Sequence, residues 1–133
     1  KLEKEEEEMV KTEELAKIQS QISGELPGFI LCAVISVEDG LPLAGESSDP
    51  DYDLAAPSGA FAETYKSSAR SFDYSNWGRE DDILLEGKDV TVALFSLKDG
   101  KYLQGIAVKG SSTNVGMLRA VFRKYEDKLE ASL

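Results

Sequence analysis

The sequence contains no histidine. That absence removes Ser-His-Asp and Cys-His catalysis, histidine general bases and histidine-ligated zinc together. It contains one cysteine, Cys32. A lone cysteine closes no internal disulfide, so nothing asks for an oxidising compartment, and a cytoplasmic location is the expectation. Positive charge is scarce: 15 Lys and Arg stand against 25 Asp and Glu, a net charge of −10 over 133 residues. Such a surface repels phosphate backbones and anionic lipid headgroups, so no nucleic acid is expected as a partner. The nearest thing to a basic cluster is Arg119, Arg123, Lys124 and Lys128, close together near the C-terminus. No apolar run approaches the roughly 18 residues of a membrane span, and the charged N-terminus has no signal-peptide pattern. Neither of the glycine patterns that cradle phosphates, G-x-x-x-x-G-K-[ST] or G-x-G-x-x-G, occurs. The expectation is a non-enzymatic protein with no catalytic set, no metal centre and no cofactor.

Two motifs come near to chemistry and stop short. Asp49-Pro50-Asp51-Tyr52-Asp53 begins like a calcium loop, but Leu54 stands where the loop needs Gly and Ala60 where it needs Glu. It reads as an acidic turn with Asp53 as a helix cap. Cys32 lies mid-strand in an apolar run, where a thiol acts as a small hydrophobe.

What is present is the pattern of one soluble domain. Hydrophobic residues make up 41% and charged residues 30%, ordinary proportions for a globular chain. Residues 1–14 hold seven Glu and three Lys, including the run Glu5–Glu8. They read as a charged, frayed helical extension, and residues 15–133 as a single domain. Within the first helix Val10, Leu15, Ile18, Ile22 and Leu26 recur at mostly three- and four-residue spacing, and Pro27-Gly28 ends it. Phe29–Val37 is apolar on both alternating faces, a strand covered on both sides. Glu38-Asp39-Gly40 turns the chain into a short strand, Leu41–Gly45, which Pro42 places at an edge. A second helix runs to about Tyr74 with a stripe of Phe61, Tyr65, Ser68 and Phe72. Ala62 and Ala69 flank it on one side, and Ala60, Thr64 and Ser71 on the other. Strands follow at Ile83–Glu86, Val90–Leu97 and Tyr102–Lys109, the last two joined by the hairpin signal Lys98-Asp99-Gly100. Asn114 caps a final helix whose buried face is Val115, Leu118, Val121 or Phe122, Tyr125 and Leu129. The order α-β-β-α-β-β-β-α, with hairpin-length links, predicts an α/β (α+β) domain around a mainly antiparallel sheet with helices on both faces.

Four strings in this order resemble the roadblock (dynein light chain) family: GFILCAVISVEDGLPLAGES from Gly28, the Ala- and Ser-rich helix Leu54–Phe72, ILLEGKDVTVALFSLKDGKYLQGIAV from Ile83, and TNVGMLRAVFRKYEDKL from Thr113. The resemblance covers about Leu15 to Leu129. It implies a five-stranded sheet with one helix on one face and two on the other, and a dimer with itself or a paralogous roadblock protein. In the family, second helices pack together and third strands meet edge to edge. Carried over, the dimer contacts fall on Ala60, Phe61, Thr64, Tyr65, Ser68, Phe72, Ile83, Leu84 and Leu85. Family members include dynein light chains, Rag-GTPase scaffolds and bacterial MglB-like regulators of a small Ras-like GTPase. The charged extension and the long loop around Asp49 favour the last branch. Glu63, Lys66, Arg70 and Trp77 are then the candidate partner-binding residues. Their bland alternatives are solvated surface charge and, for Trp77, a ring covering the edge of the core. Two other readings stand beside a GTPase platform: a structural light chain of a larger assembly, and a small-molecule sensor of PAS or profilin form.

Overall fold

The structure is a computed structural model and describes residues 2–133. Its elements are α1 (Leu2–Glu25), β1 (Phe29–Ser36), β2 (Pro42–Ser47), α2 (Ala55–Ser75), β3 (Asp82–Glu86), β4 (Val90–Leu97), β5 (Tyr102–Lys109) and α3 (Val115–Ala131). The five strands form one antiparallel sheet in the order β2-β1-β5-β4-β3. The two strands apolar on both faces, β1 and β4, are interior, as their composition requires. The Pro42-bearing strand is an edge, where a missing N–H costs no ladder bond. Among the described residues no helix is long and apolar enough to cross a membrane.

Alternation along the strands sorts the side chains into two layers. Cys32, Val34, Ala93, Phe95, Leu97, Ile106 and Val108 form the layer beneath α1 and α3. Helix α1 adds Leu15, Ile18 and Ile22, and α3 adds Leu118, Val121, Phe122, Tyr125 and Leu129. Phe95 and Phe122 stack there, with ring centroids 4.2 Å apart. Fully burying an apolar side chain of this size is worth about 1.5–3 kcal/mol, so this layer supplies most of the driving force. The other layer is thinner: Ala33, Ile35 and Leu103 meet Ala62 and Tyr65 of the single helix α2.

Three local readings change. Val10 is exposed; the buried positions of α1 begin at Leu15 and include Gln19. Residues 2–13 are helical but touch no core, because the helix runs past the end of the sheet. On α2 the buried line is Ser58, Ala62 and Tyr65; of the expected stripe Phe61, Tyr65, Ser68 and Phe72 only Tyr65 is buried and the others are half-buried. Small Ala62 sits at the centre because the helix lies close over the sheet. Asp53 accepts the Ala55 N–H at 3.0 Å, yet the residue in the cap position is Leu54, without a side-chain cap. Asn114, by contrast, caps α3 as expected, accepting the Met117 N–H at 2.8 Å.

The β4–β5 hairpin turns through Lys98, Asp99 and Gly100, all at positive φ. At Gly100 a Cβ would stand 2.5 Å from the Tyr65 hydroxyl, so the turn packs directly on α2.

Candidate functional site

Helix α2 lies over β1 and β5 and leaves the outer part of the β4–β3 half of its sheet face open. The register sets Ile83 opposite Leu94 and Leu85 opposite Val92, all on the α2 face. Leu94 is buried, Ile83 and Val92 are half-buried, and Leu85 and Val90 are exposed. Leu84 points to the other face, where it is 37% exposed beside Val115 and Leu118. Strand β3 pairs with β4 on one side only, so its outer N–H and C=O groups are an open edge. On the flank of α2, Phe61, Thr64, Ser68 and Phe72 are half-buried and Ala60 is exposed. Phe61 reaches down to Gly105, 3.2 Å from where a Cβ would stand. Flank and open edge make one apolar trough.

Of the residues assigned to a dimer contact, Tyr65 is 6% exposed and packs into its own protomer. Ser68 is engaged at home as well: its hydroxyl donates to Glu80 Oε2 at 3.1 Å. Glu80 is a buried carboxylate that the sequence reading passed over as loop. Only its position just before β3, under α2, reveals it. Asn76, left-handed at φ 56°, closes α2 and sends the chain outward through Trp77. Trp77 meets Phe72 edge to face at 5.8 Å and is otherwise 69% exposed, so it does not cover the core. Tyr74 stands exposed beside it in sequence.

Around the corner of α2 from this trough lies a cleft of about 460 Å³, walled by the C-terminal half of α2, the loop before β3 and the β4–β5 turn. Lys66 and Arg70 line it, together with Arg79 and Lys101, which no sequence window groups with them. Lys66 Nζ donates to the Glu38 carbonyl at 3.3 Å and lies 3.5 Å from Glu63, which is exposed. Arg79 donates to the Asp99 carbonyl. The cations singled out near the C-terminus are mostly engaged with neighbours: Arg119 bonds Asp82 at 2.9 Å, Arg123 bonds Glu126 at 3.0 Å and Lys124 bonds Glu25 at 2.8 Å.

Burial pushes the Cys32 thiol up to about 12, so it carries no thiolate at neutral pH. Asp49 accepts the Asp51 N–H, and the acidic loop caps its own backbone. No group of three metal-ligating side chains occurs among the described residues.

No family model and no curated protein matches the sequence. Solved structures do match its fold. MglB of Myxococcus xanthus superposes with a TM-score of 0.80 at 9% identity, over 90% of this chain and 87% of that one. A Roadblock/LC7 domain from Streptomyces avermitilis gives 0.71 at 12% identity, over 86% and 97%. The fold is that of roadblock/LC7 domains. An MglB with a tetrameric arrangement matches at 0.78 and 11% identity, over 92% and 89%. The roadblock fold accounts for the sheet order and for the two helices on one face against one on the other. The uncovered trough and the open β3 edge lie on the face that carries α2 alone.

Proposed function

We propose that this roadblock-fold chain is a non-enzymatic dimeric interaction module that binds and regulates a small Ras-like GTPase. The trough carries the first part of the reading. An open strand edge lined by Leu84 and Leu85, beside a helix flank of Phe61, Thr64 and Phe72, is a liability for a free monomer and a ready surface for a second copy. Two such edges set antiparallel would continue one sheet through both protomers and bring the α2 flanks together. Ala60, Ser68 and Ile83 complete that surface, and Tyr65 supports it from below. An MglB solved as a tetramer supports self-association in this fold.

The second part rests on the C-terminal end of α2. Trp77 and Tyr74 are large, exposed aromatics, the side chains that most often anchor protein contacts, and Glu63, Lys66 and Arg70 are the candidate contacts on α2 itself. This surface reads as one of contact, with turnover carried out by the partner. The test is a pull-down or light-scattering titration with a small Ras-like GTPase from the same genome, loaded with GDP or with a GTP analogue. Preference for one nucleotide state, lost in Trp77→Ala, is the expected result. Equal binding to both states favours a structural light chain, and no binding to either removes the GTPase from the account.

A further inference from the structure

The chain carries 25 acidic residues against 15 basic ones, yet Lys66, Arg70, Arg79 and Lys101 line one cleft. They come from α2, the loop before β3 and the β4–β5 turn, so the fold alone gathers them. Three acids, Asp73, Glu80 and Asp99, line it too. Even so, among the described residues no carboxylate lies within 4.0 Å of the charged ends of Arg70, Arg79 or Lys101. Arg79 is held by a carbonyl instead, and Glu80 takes its bond from Ser68. The cleft is open at its mouth and, with four cations to three acids in its lining, carries a small positive excess in a strongly acidic molecule.

The chain also supplies the complementary charge. Residues 2–14 hold seven Glu and two Lys, a net −5, and residues 2–13 are exposed throughout. At about 1.5 Å per residue, this part of α1 extends about 20 Å before Leu15, the first buried position. It leaves Leu2, Met9 and Val10 exposed. Helix α1 lies on the opposite face of the sheet from α2, so a straight arm cannot reach the cleft of its own chain.

We infer that the α2 cleft binds the acidic N-terminal arm of a second copy of this chain. Carboxylates of the Glu5–Glu8 run enter between Arg70, Arg79 and Lys101, while the helix lies across the mouth. Such a contact is made mainly by charge, so it is weak and salt-sensitive; the Debye length falls from about 10 Å at 0.1 M to about 3 Å at 1 M salt. Lys66 and Arg70 also belong to the partner surface proposed above, so an arm in the cleft would compete with that partner. Arm binding itself does not depend on the GTPase reading.

The experiment uses the full chain and a synthetic peptide of residues 1–14, titrated at 50 mM salt. Trp77 is the only tryptophan and adjoins Gly78 of the cleft wall, so its emission is the reporter. The expected result is a saturable change in emission, weakened at least tenfold at 0.5 M salt and absent in Lys66→Glu/Arg70→Glu. Light scattering of the full chain at 50 mM salt should give a larger mass than for that variant, and the two should agree at 0.5 M. If the double variant does not fold by circular dichroism, Arg70→Gln replaces it, with at least threefold weaker peptide binding expected. No change in emission, equal binding by the charge variant, or undiminished binding by a peptide in which Glu5 to Glu8 are replaced by Gln would overturn the inference.

Discussion

At the scale of single residues, one polar pair organises the larger core layer. Gln19 on α1 and Gln104 on β5 are both fully buried. Each amide donates to the other's oxygen, at 2.8 and 2.9 Å, and Gln104 Nε2 also reaches the Gly105 carbonyl at 3.0 Å. The pair fixes where α1 sits along the sheet, since sliding the helix by a turn would strand two amides. Replacing one partner leaves the other buried and unsatisfied, which costs about 1–3 kcal/mol, whereas replacing both by apolar residues of similar volume can be nearly neutral. Gln104→Leu should therefore lower stability by that amount in urea titrations, and Gln19→Leu/Gln104→Leu should recover most of the loss. Additive losses would mean that the pair does not act as a unit. This pair was not legible in the sequence. Apolar periodicity finds Leu15, Ile18 and Ile22, but it has no place for a polar residue such as Gln19 and it takes in Val10. Burial on α1 is decided by where the sheet ends, which no window of the helix contains.

At the scale of elements, the strands were legible because turn residues bracket them. Gly40 and Gly100 sit at positive φ, where the acidic-Gly turns required them, and β4 and β5 have the boundaries read from the sequence. The face of α2 was less legible. Its Ala- and Ser-rich surface offers two nearly equal stripes, and only the second core layer shows that Ala62 and Tyr65 face the sheet. Helices α1 and α3 are joined at one end by Glu25, which bonds Lys124 at 2.8 Å and accepts from the Tyr125 hydroxyl. The Lys124 and Tyr125 bonds hold the Glu25 carboxyl below its usual 4.5. A carboxylate whose folded value is lowered stabilises the fold above its unfolded value, and that stability is lost as pH falls through the folded value. Stability should therefore drop on acidification below about pH 4.5, and Glu25→Gln should flatten this acid limb in pH-dependent melting. An unchanged acid limb would remove Glu25 from the account. With no histidine in the chain, no side chain with an ordinary value titrates between about pH 5 and 8, so the melting temperature should be nearly level there.

At the scale of the whole molecule, element order could be read from the sequence, but the pairing of distant parts could not. The meander β3-β4-β5 follows from hairpins, whereas the placement of β1 against β5 joins residues about 70 apart. The basic cleft is a product of that assembly, as Arg79 and Lys101 have no sequence signal linking them to Lys66 and Arg70. The trough was half legible: Phe61, Phe72 and Leu85 stood out as apolar, but their openness depends on α2 covering only one half of the sheet. That half-covered face is the basis of the proposed dimer, because an apolar open edge is a liability in a free monomer. Light scattering coupled to size exclusion, at tens of micromolar protein and 0.5 M salt to suppress contacts of the arm, tests it directly. The account predicts twice the chain mass of 14.5 kDa, falling to the single mass in Phe72→Asp while circular dichroism shows the fold intact. A wild-type chain that elutes at 14.5 kDa under these conditions would contradict the dimer, and with it the platform on which the proposed function stands.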